Sequence, residues 1–458
     1  MDPGSCTKMT LMKRFLRAVP LLVVMLLWGL HLAYPMNRLQ HVRWAFGGHP
    51  VPVYYVLTVL LMAGASVLAL IFKRDWSRWE LLWWALPLIC LPGILHSTDP
   101  IWSLRQWLSW IIRGIVPGGI IFLAAHRKRS EGMLLFWIYP IIIGASLLGL
   151  WELYYNQKPP WDRYALHQRI DEVGALVEYI PIAQTSQSDN PFYRPADEMR
   201  LSGKPLGTQG NRIPYAVTLI GFLPLGVWLL RYKRSSRLVH LFAFGALCSI
   251  LLLAQVRAVW VGALVAIVLM QTVGLLGDWR GTIKIVAGVS LCLGVFLVFP
   301  KTRDVVWSRF DSFHLAEGSI QERLAVLETA KVLGDRGFLG VGFGEFPAAC
   351  KSYYHSALPW RGTPDNQYLR WMIENGLPSF VLLASFFIGL LRAGWERIKL
   401  MVDIQRADFY RALLVGWASV AVTFLFFDGF YWGACNMTFW CLLGLFATCL
   451  KSPESSAL

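Results

Sequence analysis

Charge is scarce in this chain of 458 residues: Asp, Glu, Lys and Arg together make up 16%, where a soluble domain carries about a quarter. That shortfall excludes an ordinary water-soluble fold. Cysteine supplies no disulfide framework. Cys90, Cys248, Cys292, Cys441 and Cys449 fall inside apolar runs, Cys6 lies in the N-terminal tail, and Cys350 and Cys435 alone are left to face outward. Zinc-type spacings, carboxylates grouped for a metal and long lysine-rich runs are missing too. Neither a metal, a cofactor nor nucleic acid is therefore expected, despite a net charge of +15. A small-residue cleavage site after Leu32 is also lacking. Residues 18–33 follow Lys13, Arg14 and Arg17 in the manner of a signal peptide, but read as an uncleaved first helix.

What the chain has in abundance is apolar sequence, 56% of its residues. It comes in runs of about twenty, such as 51–72, 132–151, 257–277 and 430–450, each long enough to cross a bilayer. The 22 tryptophans suit the membrane–water interface. Spans are expected near 18–35, 51–72, 79–96, 106–125, 132–151, 213–230, 238–254, 257–277, 283–299, 377–393, 411–427 and 430–450. Basic residues at 73–78, 127–129, 231–237 and 392–406 all fall on the side of the N-terminus, while the opposite short connections are poor in them. The positive-inside rule then places both termini in the cytoplasm and requires an even helix count. The expected fold is an all-α polytopic membrane protein of about 12 transmembrane helices. Its parts are membrane helices over 1–151, an outward loop 152–212, helices over 213–299, a second outward loop 300–376 between helices 9 and 10, and helices plus a tail over 377–458.

Loops of that length concentrate function. In the second, residues 319–334 read as an amphipathic helix, with Ser319 and Glu322 spaced as a capping box. Arg323 falls near the middle of the apolar arc formed by Ile320, Leu324, Val326, Leu327, Ala330 and Leu333. An arginine there needs a partner anion or a wet cavity, so it is either a paired or snorkelling side chain or a guanidinium aimed at a phosphate. Leu339–Gly344 lacks the spacing of a nucleotide fingerprint and reads as a tight turn that lets backbones pack closely. Residues 363–376 read as a second short helix, with Thr363 as N-cap, Pro364 at its first position and Gly376 at its end. Asp365 in the first turn either complements the helix dipole or acts as a general base. Arg113 lies inside the fourth span, ahead of a Pro117–Gly118–Gly119 run expected to kink it. It either lines a lipid-donor path or snorkels to the outer interface.

Four segments together resemble the O-antigen ligase/polymerase family of bacterial envelope glycan enzymes. They are Leu253 to Gly262 around Arg257, the Arg323 helix with its following glycine-rich turn, Asp365-Asn366-Gln-Tyr368-Leu369 followed by Glu374-Asn-Gly376, and Gly207-Thr-Gln-Gly210-Asn211. The match covers residues 200–380 well. This chain has Asp365 where most members have histidine, and His355 is not a positional substitute. The resemblance implies a GT-C-like fold in the bacterial cytoplasmic membrane and transfer of a glycan from a polyprenyl diphosphate to a hydroxyl on lipid or sugar, outside that membrane. On this basis Arg257 and Arg323 are expected at the diphosphate, since arginines can replace a metal in stabilising that leaving group. Asp365 is then the base or the acceptor-orienting residue. Asn366, Tyr368, Arg361, Arg113 and Asn211 are expected to bind substrate. The resemblance does not distinguish ligase from polymerase. The rival functions are a lipid-glycan flippase or transporter, and a family member that has lost catalysis with the histidine.

Overall fold

The computed structural model describes residues 3–33, 43–46, 49–71, 76–124, 137–155, 166–170, 176–181, 212–233, 237–254, 256–277, 283, 287, 331, 338–353 and 365–451. The expected span near 283–299 and the expected helix at 319–334 lie almost wholly outside them, as do Arg323, Arg361, Asn211 and His355.

The N-terminal half builds α1 (Pro3–Ala33), the hairpin β1 (Arg43–Phe46) and β2 (His49–Pro52), then α2 (Val53–Ile71). A broken helix follows, α3 (Arg78–Ala85), a 3-10 stretch Leu86–Cys90 and α4 (Leu91–Leu95). Ser77 and Glu80 open it with a reciprocal capping box. Next come α5 (Pro100–Trp110), a π-helical turn Ile111–Ile115 and α6 (Val116–Ala124). After α7 (Tyr139–Tyr155) comes the antiparallel hairpin β3 (Leu166–Ile170) and β4 (Leu176–Pro181). The second half holds α8 (Arg212–Ile220), α9 (Leu223–Tyr232), α10 (Arg237–Leu253), α11 (Arg257–Thr272), the short α12 (Phe346–Tyr353), α13 (Gln367–Lys399), α14 (Ile404–Thr423) and α15 (Gly433–Ala447).

Among the described residues, six helical segments are long and apolar enough to cross a membrane, and five shorter apolar helices accompany them. Large apolar side chains such as Leu60 on α2, Leu264 on α11 and Ile388 on α13 point away from the protein. That pattern suits contact with lipid rather than water. The chain is a helical multi-pass membrane protein.

The bundle is built around α15, whose residues Ala434 to Ala447 are all buried. Two glycines allow a close contact: a side chain on Gly444 would meet the backbone of Gly118 on α6. Small residues let membrane helices meet backbone to backbone, where van der Waals packing holds them. Gly444→Leu is expected to force α6 and α15 apart and to cost at least about 1–3 kcal/mol, as overpacking does. A clearly lowered unfolding midpoint of the detergent-purified variant would show it; an unchanged midpoint would contradict the packing.

The helix break in the fourth expected span falls earlier than the Pro–Gly–Gly run suggests. Pro117 has no amide hydrogen to give the carbonyl four residues back, that of Arg113. The irregular turn sits there instead, with the Val116 amide reaching Ile111. Gly118 and Gly119 lie in regular helix and serve contact with Trp440 and Trp83. Cys435 is also corrected: it is fully buried against Thr218 and the Pro214 carbonyl, not facing outward.

At one end of the bundle, buried Asp408 binds Arg411 at 2.7 Å, Arg231 at 3.2 Å and the Tyr232 hydroxyl at 2.5 Å. Lys451 pairs with buried Glu80 at 3.0 Å beside it, since Tyr410 and Thr448 join the two neighbourhoods at 3.2 Å. Those of the residues expected to do chemistry that are described lie at the opposite end.

Candidate functional site

The segment at 338–342 meets the start of the apolar run at 377–393 through a backbone clasp. The Val341 amide donates to the Ile373 carbonyl at 3.0 Å, Gly342 to Glu374 at 3.0 Å, and Leu377 to Phe338 at 3.2 Å. Gly340 (φ 91°) and Gly376 (φ 82°) sit where any side chain would strike the other strand's backbone. Only glycine takes such angles without strain. The expected close-packing turn is therefore present, and its partner is a break in α13 at Gly376. Glu345, next in the chain, is 3% exposed. Its carboxylate accepts from the Ser97 hydroxyl, from the Thr98 amide (3.2 Å) and hydroxyl (2.5 Å), and from the Asp99 amide (2.7 Å). The root of the loop is thereby tied to the α4–α5 connection.

The start of α13 differs from the expected helix at 363–376. Asn366 is the N-cap, its side chain accepting from the Tyr368 and Leu369 amides at 3.1 and 3.0 Å. Asn366 wins this role because its short amide can cap while its own backbone stays extended. Thr363 and Pro364 lie outside the described residues. Asp365 is not in a first helical turn: it precedes the cap, with φ 47°. Among the described residues it is the one non-glycine residue with a positive φ. The left-handed region is tolerated by Asp and Asn but strained for most side chains, and such outliers cluster at functional sites. Tyr368, the second residue of the helix, donates its hydroxyl to the Ala421 carbonyl on α14 at 2.7 Å.

Below this turn lies a buried charge cluster that the sequence reading passed over. Arg370 is paired with Glu374 at 2.8 Å and with Asp428 at 2.9 Å, and its guanidinium stacks 3.4 Å from the centre of the Tyr431 ring. The Tyr431 hydroxyl donates to the second Glu374 oxygen, and the Phe346 amide reaches the first at 3.2 Å. The second Asp428 oxygen accepts from the Asn366 amide at 3.1 Å, and Gln367 accepts from Phe430 at 2.8 Å. The α14–α15 connection is thus bolted to the start of α13. Burial pushes the Asp428 carboxyl up to about 6, Arg370 pulls it the other way, and Asp365 and Glu374 add to the rise. Burial also drives the Tyr431 phenol well up, leaving it a donor. A floor of rings carries the cluster: Trp371 stands 4.8 Å from Trp110 and 5.7 Å from both Phe343 and Phe430.

Two signals pointed to these residues. Arg370 and Glu374 stand one helical turn apart beside an apolar run, and Asp428 is the lone charge between Arg411 and Lys451. Isolated charges in a membrane segment seek each other.

Of the other expected site residues, Arg257 is half-buried at the first position of α11. Gly262, five residues on, packs against Ser419 and Thr423 near the C-terminal end of α14, where Tyr368 also docks. Arg113, half-buried in the π turn, approaches His31 at the end of α1 and Gly433 at the start of α15. Arg257, Arg113, Asp365, Asn366 and Tyr368 therefore share one end of the bundle.

Residues 242–384 match the family model described as O-antigen ligase. This bears out, over that stretch, the resemblance carried by the segments around Arg257, Gly340–Gly344 and Asp365–Leu369. The matched stretch contains Arg370 and Glu374 but not Arg113, Asn211 or Asp428. No curated protein matches the chain.

Proposed function

From that family match we propose that the protein transfers a glycan from a polyprenyl diphosphate to a hydroxyl acceptor at the outer face of the bacterial cytoplasmic membrane. Both termini are then cytoplasmic and the Asp365 end of the bundle faces outward. The observation that carries the assignment of the site is Asp365 itself, held in a strained backbone conformation at the same end as Arg257 and Arg113.

In the reaction, Asp365 takes the proton of the acceptor hydroxyl. The acceptor oxygen bonds to the anomeric carbon as that carbon's bond to the diphosphate breaks, and the electron pair leaves on the diphosphate oxygen. Arg257 and Arg323 face the departing charge, where fixed donors stabilise the transition state more than the ground state. Asn366, Tyr368 and Arg361 shape the acceptor side, Arg113 lies on the path of the lipid donor, and Asn211 contributes to donor binding. The chemistry calls on side chains alone, with no metal.

In membranes supplied with the lipid-linked glycan, Arg257→Ala and Arg323→Ala are each expected to slow transfer by about 10²- to 10³-fold, the loss typical of removing one charge-stabilising donor. Gel-resolved product formation would measure it. Transfer at the wild-type rate in both variants would end the assignment of arginines to the diphosphate.

A further inference from the structure

A carboxylate standing where a histidine is usual meets a chemical difficulty. A free aspartate titrates at about 3.9, whereas a general base works best when it titrates near the working pH. The surroundings of the 365–366 turn offer a remedy. The Asn366 amide is held by one Asp428 oxygen at 3.1 Å, and the other oxygen is held by Arg370 at 2.9 Å. Arg370 is itself shared with Glu374 at 2.8 Å. Two carboxylates on one guanidinium leave the cluster with surplus negative charge, and Asp365 lies near enough to Asp428 for the two charges to repel.

We propose that Asp428 is a positioning residue for Asp365: clamped between Arg370 and the Asn366 amide, its carboxylate fixes the 365–366 turn and sets a negative charge that strengthens Asp365 as a base. This rests on Asp365 being the base of the transfer proposed above. Among the described residues, the charged and titratable groups facing Asp428 are Arg370 and Glu374 from α13, Asp365 from the turn before it, and Tyr431 from its own connection. Asp365 is among the groups that raise Asp428, and repulsion between like charges is mutual, so each makes the other hold a proton more readily. Removing the Asp428 charge must then weaken Asp365 as a base. Because transfer needs Asp365 ionised, the acid limb of the rate–pH profile must move to lower pH.

The test is that profile, measured on membranes with saturating lipid-linked donor. Asp428→Asn keeps an acceptor for Asn366 but loses the charge. It is expected to move the acid limb down by about one unit and to lower the maximal rate by about three- to tenfold, with KM for the donor unchanged. Asp428→Glu keeps the charge and should leave the limb near its original place. Glu374→Gln leaves Asp428 in place but frees Arg370 to neutralise it more fully, so the limb should again move down. It serves as an independent variant if Asp428→Asn does not accumulate in membranes. A limb that stays put in the charge-removing variants, whatever happens to the rate, overturns the proposal and leaves Asp428 a structural residue. Full transfer by Asp365→Asn would instead overturn the base assignment itself, so the two failures are distinguishable.

Discussion

Arg370→Ala is expected to be the most damaging single substitution in the described part of the chain. It leaves Glu374 and Asp428 buried without their counter-ion, and removes the cation that stacks on Tyr431. Removing one partner of a buried ion pair costs about 3–5 kcal/mol, because the remaining charge stays desolvated. The Arg370 side chain is 6% exposed, so little solvent is at hand to screen what is left. Arg370→Lys should be intermediate: the charge remains, but a single ammonium cannot span two carboxylates as a planar fork does. Thermal unfolding of the purified protein in detergent would rank the variants as wild type, Lys, then Ala. An Ala variant that unfolds with the wild type would mean the cluster is not what holds α13 to the α14–α15 connection.

Asp365→Asn is expected to have the largest effect on transfer with the smallest effect on folding. Asparagine tolerates the left-handed backbone at φ 47° as well as aspartate does, so the turn should survive. The base does not, and loss of a general base lowers a rate by about 10²- to 10⁴-fold. Asp365→Ala should match it in rate but lose stability as well, since a plain Cβ in that region costs about 1–2 kcal/mol. Asp365→His puts another general base at the position and is expected to recover much of the rate. Comparing transfer and unfolding midpoint across the three variants separates chemistry from strain. Persistent transfer in Asp365→Asn would remove Asp365 from the mechanism.

Much of the architecture was legible in the chain, because a bilayer imposes a length and a polarity on every segment that crosses it. The apolar runs near 213–230, 411–427 and 430–450 appear as α8–α9, α14 and α15. Segment ends were less legible. The helix end expected at Gly376 is present as a break in α13, but nothing local showed that the clasp from Phe338 to Gly342 supplies the broken helix with hydrogen bonds from another part of the chain. The N-cap was misplaced for a related reason. Thr363-Pro364 is a good start signal locally, but Asp428 holds the Asn366 amide and fixes the start three residues later.

The candidate site divides in the same way. Asp365, Asn366 and Tyr368 lie close in sequence, and their family pattern made them visible. Arg370 appears in the same stretch, where its spacing from Glu374 is a local signal, but its second partner Asp428 is 58 positions away. Glu345 was silent, because its ligands come from Ser97, Thr98 and Asp99.

The sequence by itself determined that this is a multi-pass membrane protein with an O-antigen ligase-type stretch, and that stretch drew attention to Asp365. Those properties depend on composition, run length and local pattern, each of which is written along the chain. The tertiary structure alone decided that Asp365 precedes the helix in a strained turn, that the glycine turn clasps the break in α13, and that Arg370 and Asp428 meet beneath the site. Buried charges must find partners wherever the fold places them, and the fold placed Arg370 on α13 and Asp428 on the α14–α15 connection.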